Sequence, residues 1–154
     1  ARTDRYYVLS ISRSGAVVSL GEVPEHGTVI GFSGGAVWIS TFTPGEGIES
    51  EPSGPSTLLR IRADGTREEA GADEAHVIVG VVSDGARHAY WHDEGFVAKA
   101  DGRTFSGTGR PLIWFASGEL VVAKGVTLLL YRDGNPETLQ ASLPAAPVAA
   151  RMIE

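Results

Sequence analysis

One order recurs four times along this chain: an apolar strand pattern, a tight glycine turn, and a second strand pattern. The turns are Arg13-Ser14-Gly15, Ala63-Asp64-Gly65-Thr66, Ala100-Asp101-Gly102-Arg103 and Arg132-Asp133-Gly134-Asn135, with glycines 50, 37 and 32 residues apart. A second set lies about midway between them: Ser33-Gly34-Gly35, Ser83-Asp84-Gly85 and Ser117-Gly118. Asp-Gly and Gly-Gly between apolar runs are hairpin signals, because the turns that match strand twist need positive φ and glycine adopts it freely. Twenty glycines among 154 residues, about twice the usual ~7% share, fit a chain built of such turns. A fold made of long helices is therefore excluded at the outset.

The runs between turns are short and rich in Val, Ile, Leu, Tyr, Phe and Trp. They cover Tyr6–Ile11, Thr28–Phe32, Ala36–Thr41, Thr57–Ile61, Val77–Val82, Ala86–His92, Phe96–Ala100, Leu112–Phe115, Glu119–Ala123 and Val126–Tyr131. Helix spacing is weak throughout. Its best stretches are Glu68 to Glu74, broken by Gly71, and Ala145 to Ile153, which contains Pro147. Aligned on their turns, the segments give a four-strand unit. Its first strand carries Ile30-Gly31-Phe32, Val79-Gly80-Val81 or Ile113-Trp114-Phe115. Its second carries Val37-Trp38-Ile39, Tyr90-Trp91-His92 or Val121-Val122-Ala123. Its third carries Leu58-Leu59-Arg60-Ile61, Phe96-Val97-Ala98-Lys99 or Leu128-Leu129-Leu130-Tyr131. The fourth follows the Asp-Gly turn and is polar, as suits an outer edge: Thr66-Arg67-Glu68, Arg103-Thr104-Phe105 or Pro136-Glu137-Thr138-Leu139.

This all-β unit of four antiparallel strands with apolar inner strands resembles a β-propeller blade, in the manner of WD-repeat-like and TolB-like propellers. The resemblance covers nearly the whole chain and lies in strand-turn rhythm. The Gly-His to Trp-Asp signature of WD repeats and the aspartate box of sialidases are absent. It implies one propeller-like domain over residues 1–154, with blades near 29–70, 76–107 and 111–141. Residues 6–23 supply the last two strands of a partial blade, and Val148–Ile153 is expected to add one strand to it. About three and a half blades fall short of the usual four to eight. The chain is then part of a larger propeller whose missing blades come from elsewhere, or it closes by pairing its ends or by self-association. A β-sandwich or barrel of hairpins is the structural alternative. The start, Ala1-Arg2-Thr3-Asp4, has no Met and no signal-peptide pattern, so the chain is expected to be excised from something longer or processed.

Composition narrows the function classes. Hydrophobic residues at 42% can build a core. A net charge of −6 argues against a nucleic-acid surface, which needs clustered positive charge. No apolar run approaches the roughly 18 residues of a membrane span. Zero cysteines exclude disulfides, thiolate catalysis and cysteine zinc sites, and are compatible with an extracytoplasmic setting. Arg outnumbers Lys eleven to two, which with abundant Ala, Gly and Pro fits a GC-rich bacterial genome.

Candidate site residues come from the connections. The longest, Phe42–Ser56, carries Glu46, Glu49 and Glu51 among prolines and glycines, and reads either as an acidic contact loop or as a tolerated insertion. His88, Tyr90 and His92 alternate along one strand and so share a face. Two imidazoles are acceptable metal ligands, but no third ligand is identifiable, so no metal or cofactor is assigned and polar residues at a blade mouth are expected. Trp38 and Trp91 hold equivalent places in two units, which packing between repeats predicts. Arg60, Arg62 and Arg110 offer anion binding, or more simply partners for nearby carboxylates. No phosphate loop or nucleophile elbow occurs. The expectation is a non-catalytic binding module, a scaffold for a protein or other ligand. Trp91, His92, Asp93, Glu94 and Arg110 carry the contact, with Glu46 and Glu49 on the long loop and no catalytic residue assigned. A propeller domain of a glycan- or peptide-acting hydrolase or lyase is the alternative.

Overall fold

The structure, a computed structural model, describes residues 4–47 and 50–153. The chain divides between Val79 and Gly80 into two compact units. It is all-β and antiparallel. Fourteen strands are present among the described residues, and no helix.

The N-terminal unit begins with a hairpin of β1 (Tyr7–Ile11) and β2 (Val17–Glu22). A four-stranded sheet follows: β3 (Gly27–Ser33), β4 (Ala36–Thr41), β5 (Ser56–Arg62) and β6 (Arg67–Asp73), paired in chain order. The C-terminal unit holds two more sheets of the same plan. One contains β7 (Gly80–Ser83), β8 (His88–Trp91), β9 (Phe96–Ala100) and β10 (Arg103–Gly107). The other contains β11 (Arg110–Trp114), β12 (Leu120–Lys124), β13 (Thr127–Arg132) and β14 (Asn135–Gln140).

The turns separate into two geometries. At Asp101-Gly102 and Asp133-Gly134 both central residues have positive φ, 52° then 75° and 52° then 81°. These are two-residue primed turns, for which Asp and Gly are the suited pair. At Gly65 only the glycine is left-handed. Its amide donates to the Arg62 carbonyl at 2.9 Å, and the Arg62 amide donates to the Thr66 carbonyl at 3.0 Å. This is the longer loop that ends in a glycine bulge, braced by the Thr66 amide donating to Asp64 Oδ1 at 2.8 Å.

Burial follows the four-strand pattern. The second strands β4 and β12 are buried on both faces over most of their length, which is why they read as continuous apolar runs. β14 is exposed throughout. In the N-terminal unit the hairpin packs Val8 and Leu20 onto Val37, Ile39 and Ile61. The Ser56 hydroxyl donates to the Thr41 carbonyl at 2.6 Å and accepts the Ile78 amide at 3.2 Å. In the C-terminal unit one apolar layer lies between the two sheets, built from Ala89, Phe96 and Ala98 against Trp114, Leu120, Val122 and Tyr131. Phe105 stacks on Tyr131 with centroids 5.8 Å apart, and Phe96 meets Tyr131 edge-on at 5.2 Å. The first strand of the last sheet, β11, lies against β7 and β8.

Two expectations change, at Val148–Ile153 and at His92, and the weak helical stretch Glu68 to Glu74 is strand, as the scarcity of helix signals implied. Val148–Ile153 forms no strand. Pro144 and Pro147 lack amide donors and fix φ, so the segment leading into it cannot join a ladder as a regular strand. Glu68 to Glu74 runs largely within β6, where Ala70 is the extra residue of a bulge. The strand containing His88 ends at Trp91, so His92 lies beyond it.

Candidate functional site

Five of the seven candidate residues meet at one end of the C-terminal unit. β8 stops because the chain reverses over His92–Gly95. The His92 amide donates to the Gly95 carbonyl at 2.9 Å, and the Glu94 amide donates to His92 Nδ1 at 3.1 Å. The His92 side chain is 13% exposed, while the Asp93 side chain is 81% exposed. Asp93 Oδ1 lies 3.7 Å from His92 Nδ1. Glu94 is exposed beside it.

Trp91, the last residue of β8, sits across from Gly80 on β7 and Phe96 on β9. A Cβ on Gly80 would lie 2.1 Å from the indole, so the ring lies directly on the β7 backbone. Arg110 arrives from the link between the two sheets and opens β11, opposite Ala123. Its guanidinium carbon is 5.2 Å from the Trp91 ring centre. Gly109 makes this arrival possible. It has φ 112°, and a Cβ there would meet the Ala123 carbonyl oxygen at 2.6 Å.

Five of the seven candidates are thus brought together: Trp91, His92, Asp93, Glu94 and Arg110. Arg110 was expected to find a carboxylate or an anion, and instead stacks on an indole. Glu46 belongs to the N-terminal unit and is exposed. Its loop is braced by paired backbone bonds between Thr43 and Ser53 at 2.8 and 2.9 Å, and the Ser50 hydroxyl donates to the Glu46 carbonyl. Glu49 lies outside the described residues.

The remaining residues singled out by sequence take packing roles. His88 and Tyr90 are buried and their rings stack 6.2 Å apart, so they do not line a mouth together with His92. Trp38 is fully buried, and its Nε1 donates to the Ser33 carbonyl at 2.9 Å. Arg60 lies over the Trp38 ring at 5.3 Å. Arg60 and Arg62 both reach Glu68, at 2.6 and 3.0 Å, the local carboxylate partnership expected of them. The hydrogen bond from Arg60 is the main reason the Glu68 carboxyl is held below its ordinary range.

Chemically, the end of the C-terminal unit offers the exposed Arg110 guanidinium over the half-buried Trp91 ring, beside two exposed acidic residues. Such a surface suits polar contact with a partner, since stacked Trp and Arg concentrate contact energy.

Residue-by-residue reading missed the apolar surface of the N-terminal unit, where Phe32 is 79% exposed. The repeat pattern carried its only signal, two strands at residues 6–23 without the two that precede them elsewhere. Searches of family models, of curated proteins and of solved structures found no match to this chain.

Proposed function

We propose that the chain is part of a β-propeller and serves as a non-catalytic scaffold that binds a protein partner. The supporting observation is the C-terminal unit. Two up-and-down four-stranded sheets face each other across one apolar layer, with the first strand of one against the first and second strands of the other. That is the relation neighbouring propeller blades adopt. The link between these sheets also delivers Arg110 onto Trp91, next to the turn that presents Asp93 and Glu94. A rigid sheet pair that positions polar groups on its connecting loops is a binding architecture.

The test is charge reversal at the two exposed acids. Asp93→Lys with Glu94→Lys should leave the thermal transition in place, since both residues are exposed. Proteins retained by the wild-type chain from a bacterial lysate should be lost by the variant. An unchanged set of retained proteins, with the fold intact, would remove this surface from the binding function.

A further inference from the structure

The hairpin β1–β2 is an unfinished sheet. β1 pairs with β2 on one edge, and no strand pairs with its other edge among the described residues. Exposed apolar side chains concentrate around that edge. Tyr7, Leu9 and Ile11 on β1 are 52%, 53% and 67% exposed, and Val29 and Phe32 stand opposite on β3. Between them runs a groove of about 470 Å³ lined by Tyr7, Leu9, Val29 and Phe32. It continues into a second groove of about 410 Å³ that shares Leu9 and Phe32. Among the described residues, no charged side chain lines either groove. An apolar patch of this kind beside an open strand edge is a docking surface or an aggregation hazard, because both the ladder groups and the side chains are unspent.

The chain itself shows what such an edge takes. β1 precedes a tight glycine turn into a last strand, as β5, β9 and β13 do. In each complete sheet that third strand is covered on its other edge by a buried second strand, and then by a first strand. The covering strands carry Val37-Trp38-Ile39, Ala89-Tyr90-Trp91 and Val121-Val122-Ala123. All are uncharged and apolar.

We propose that the free edge of β1 and the groove beside it receive a two-stranded β-hairpin from a partner polypeptide. Its inner strand is an uncharged run of Val, Ile, Ala and aromatic residues. The hairpin pairs antiparallel with β1 and lays side chains over Leu9 and Phe32, completing a fourth four-stranded sheet by strand addition. Backbone bonds supply affinity in this mode, and the alternate side chains in the groove supply selectivity. This inference concerns a different surface from the Trp91–Arg110 site. Asp93→Lys with Glu94→Lys leaves it untouched, so the two readings fail separately.

The experiment uses the full chain and a synthetic peptide with the sequence of residues 110–124, which spans β11 and β12. A scrambled peptide of the same composition is the control. Binding is read by calorimetry and by amide hydrogen exchange. The expected result is saturable binding of the hairpin peptide with slowed exchange at Leu9 and Ile11. Affinity should fall at least about tenfold in Leu9→Lys, since a charge on a strand edge opposes pairing. Ile11→Lys repeats the test should Leu9→Lys unfold. Equal binding of the scrambled peptide, or no binding of either, overturns the proposal. A concentration-dependent dimer of the chain alone, abolished by Leu9→Lys, also overturns it and assigns the edge to a second copy.

Discussion

Replacing Gly80 with alanine tests the packing that holds the candidate site. A Cβ at this position would lie 2.1 Å from Trp91 Cζ2, 2.4 Å from Cε2 and 2.5 Å from Cη2. Favourable carbon contacts lie near 3.5–4.0 Å, so the indole must retreat by more than about 1 Å. It has little freedom to do so, with Phe96 beside it in the ladder row and Arg110 over its face at 5.2 Å. Forcing a methyl group into a packed site costs about 1–3 kcal/mol. Losing the cation–π contact adds about 0.5–1 kcal/mol. Against this, Gly80 does not occupy the left-handed region. An alanine there would by itself stabilise by about 0.4–1 kcal/mol, by restricting the unfolded chain. The expected net effect of Gly80→Ala is a destabilisation of about 1–3 kcal/mol. In a Trp91→Ala background the clash is gone, and the same substitution should be neutral or stabilising. Urea unfolding followed by circular dichroism measures all four proteins of the cycle, with an expected coupling of about 1.5–4 kcal/mol. Equal destabilisation in both backgrounds, or a stabilised single variant, would refute the claim that the ring rests on the β7 backbone.

Two further predictions concern titration. The Arg60 hydrogen bond, with help from Arg62, holds Glu68 below its ordinary value of 4.5. Its stabilising contribution is therefore present above that value and fades as pH falls through the folded-state value. Glu68→Gln should cost about 0.2–1 kcal/mol at neutral pH, the scale of a partly exposed pair. Wild type and variant should converge in acid, as read by urea unfolding across an acid pH series. Burial pushes the Tyr131 phenol above its ordinary value of 10.0. The protonated phenol is thus favoured by folding, and this contribution is lost as pH rises from the unfolded value through the folded one. Tyr131→Phe should flatten the loss of stability between about pH 9 and 12, measured in the same way.

The strand inventory was legible because its signals are local. Val37-Trp38-Ile39 and Val121-Val122-Ala123 read as strands from apolar content, and they are the buried second strands of their sheets. Asp101-Gly102 and Asp133-Gly134 read as hairpin turns, because only particular residues tolerate two successive positive φ values. The polar run Pro136 to Leu139 read as an edge and is the exposed β14. Boundaries were less legible. His92 continues the alternation of His88 and Tyr90 in sequence, yet the backbone turns before it, and the three side chains do not share one environment. Val148 to Ile153 has apolar residues enough for a strand but no ladder to join, and prolines stand before it.

The sequence by itself determined an all-β chain of repeated antiparallel four-stranded sheets, since strand propensity, turn chemistry and edge polarity each act over a few residues and all agree. It also marked the hairpin at residues 6–23 as two strands short of its neighbours. Only the tertiary structure decided that Arg110 lies on Trp91, that Gly80 is small because an indole covers it, and that Leu9 and Phe32 flank one groove. Those relations join residues far apart in the chain, through ladder register and the stacking of sheets. Neither leaves a periodic trace in the residues themselves.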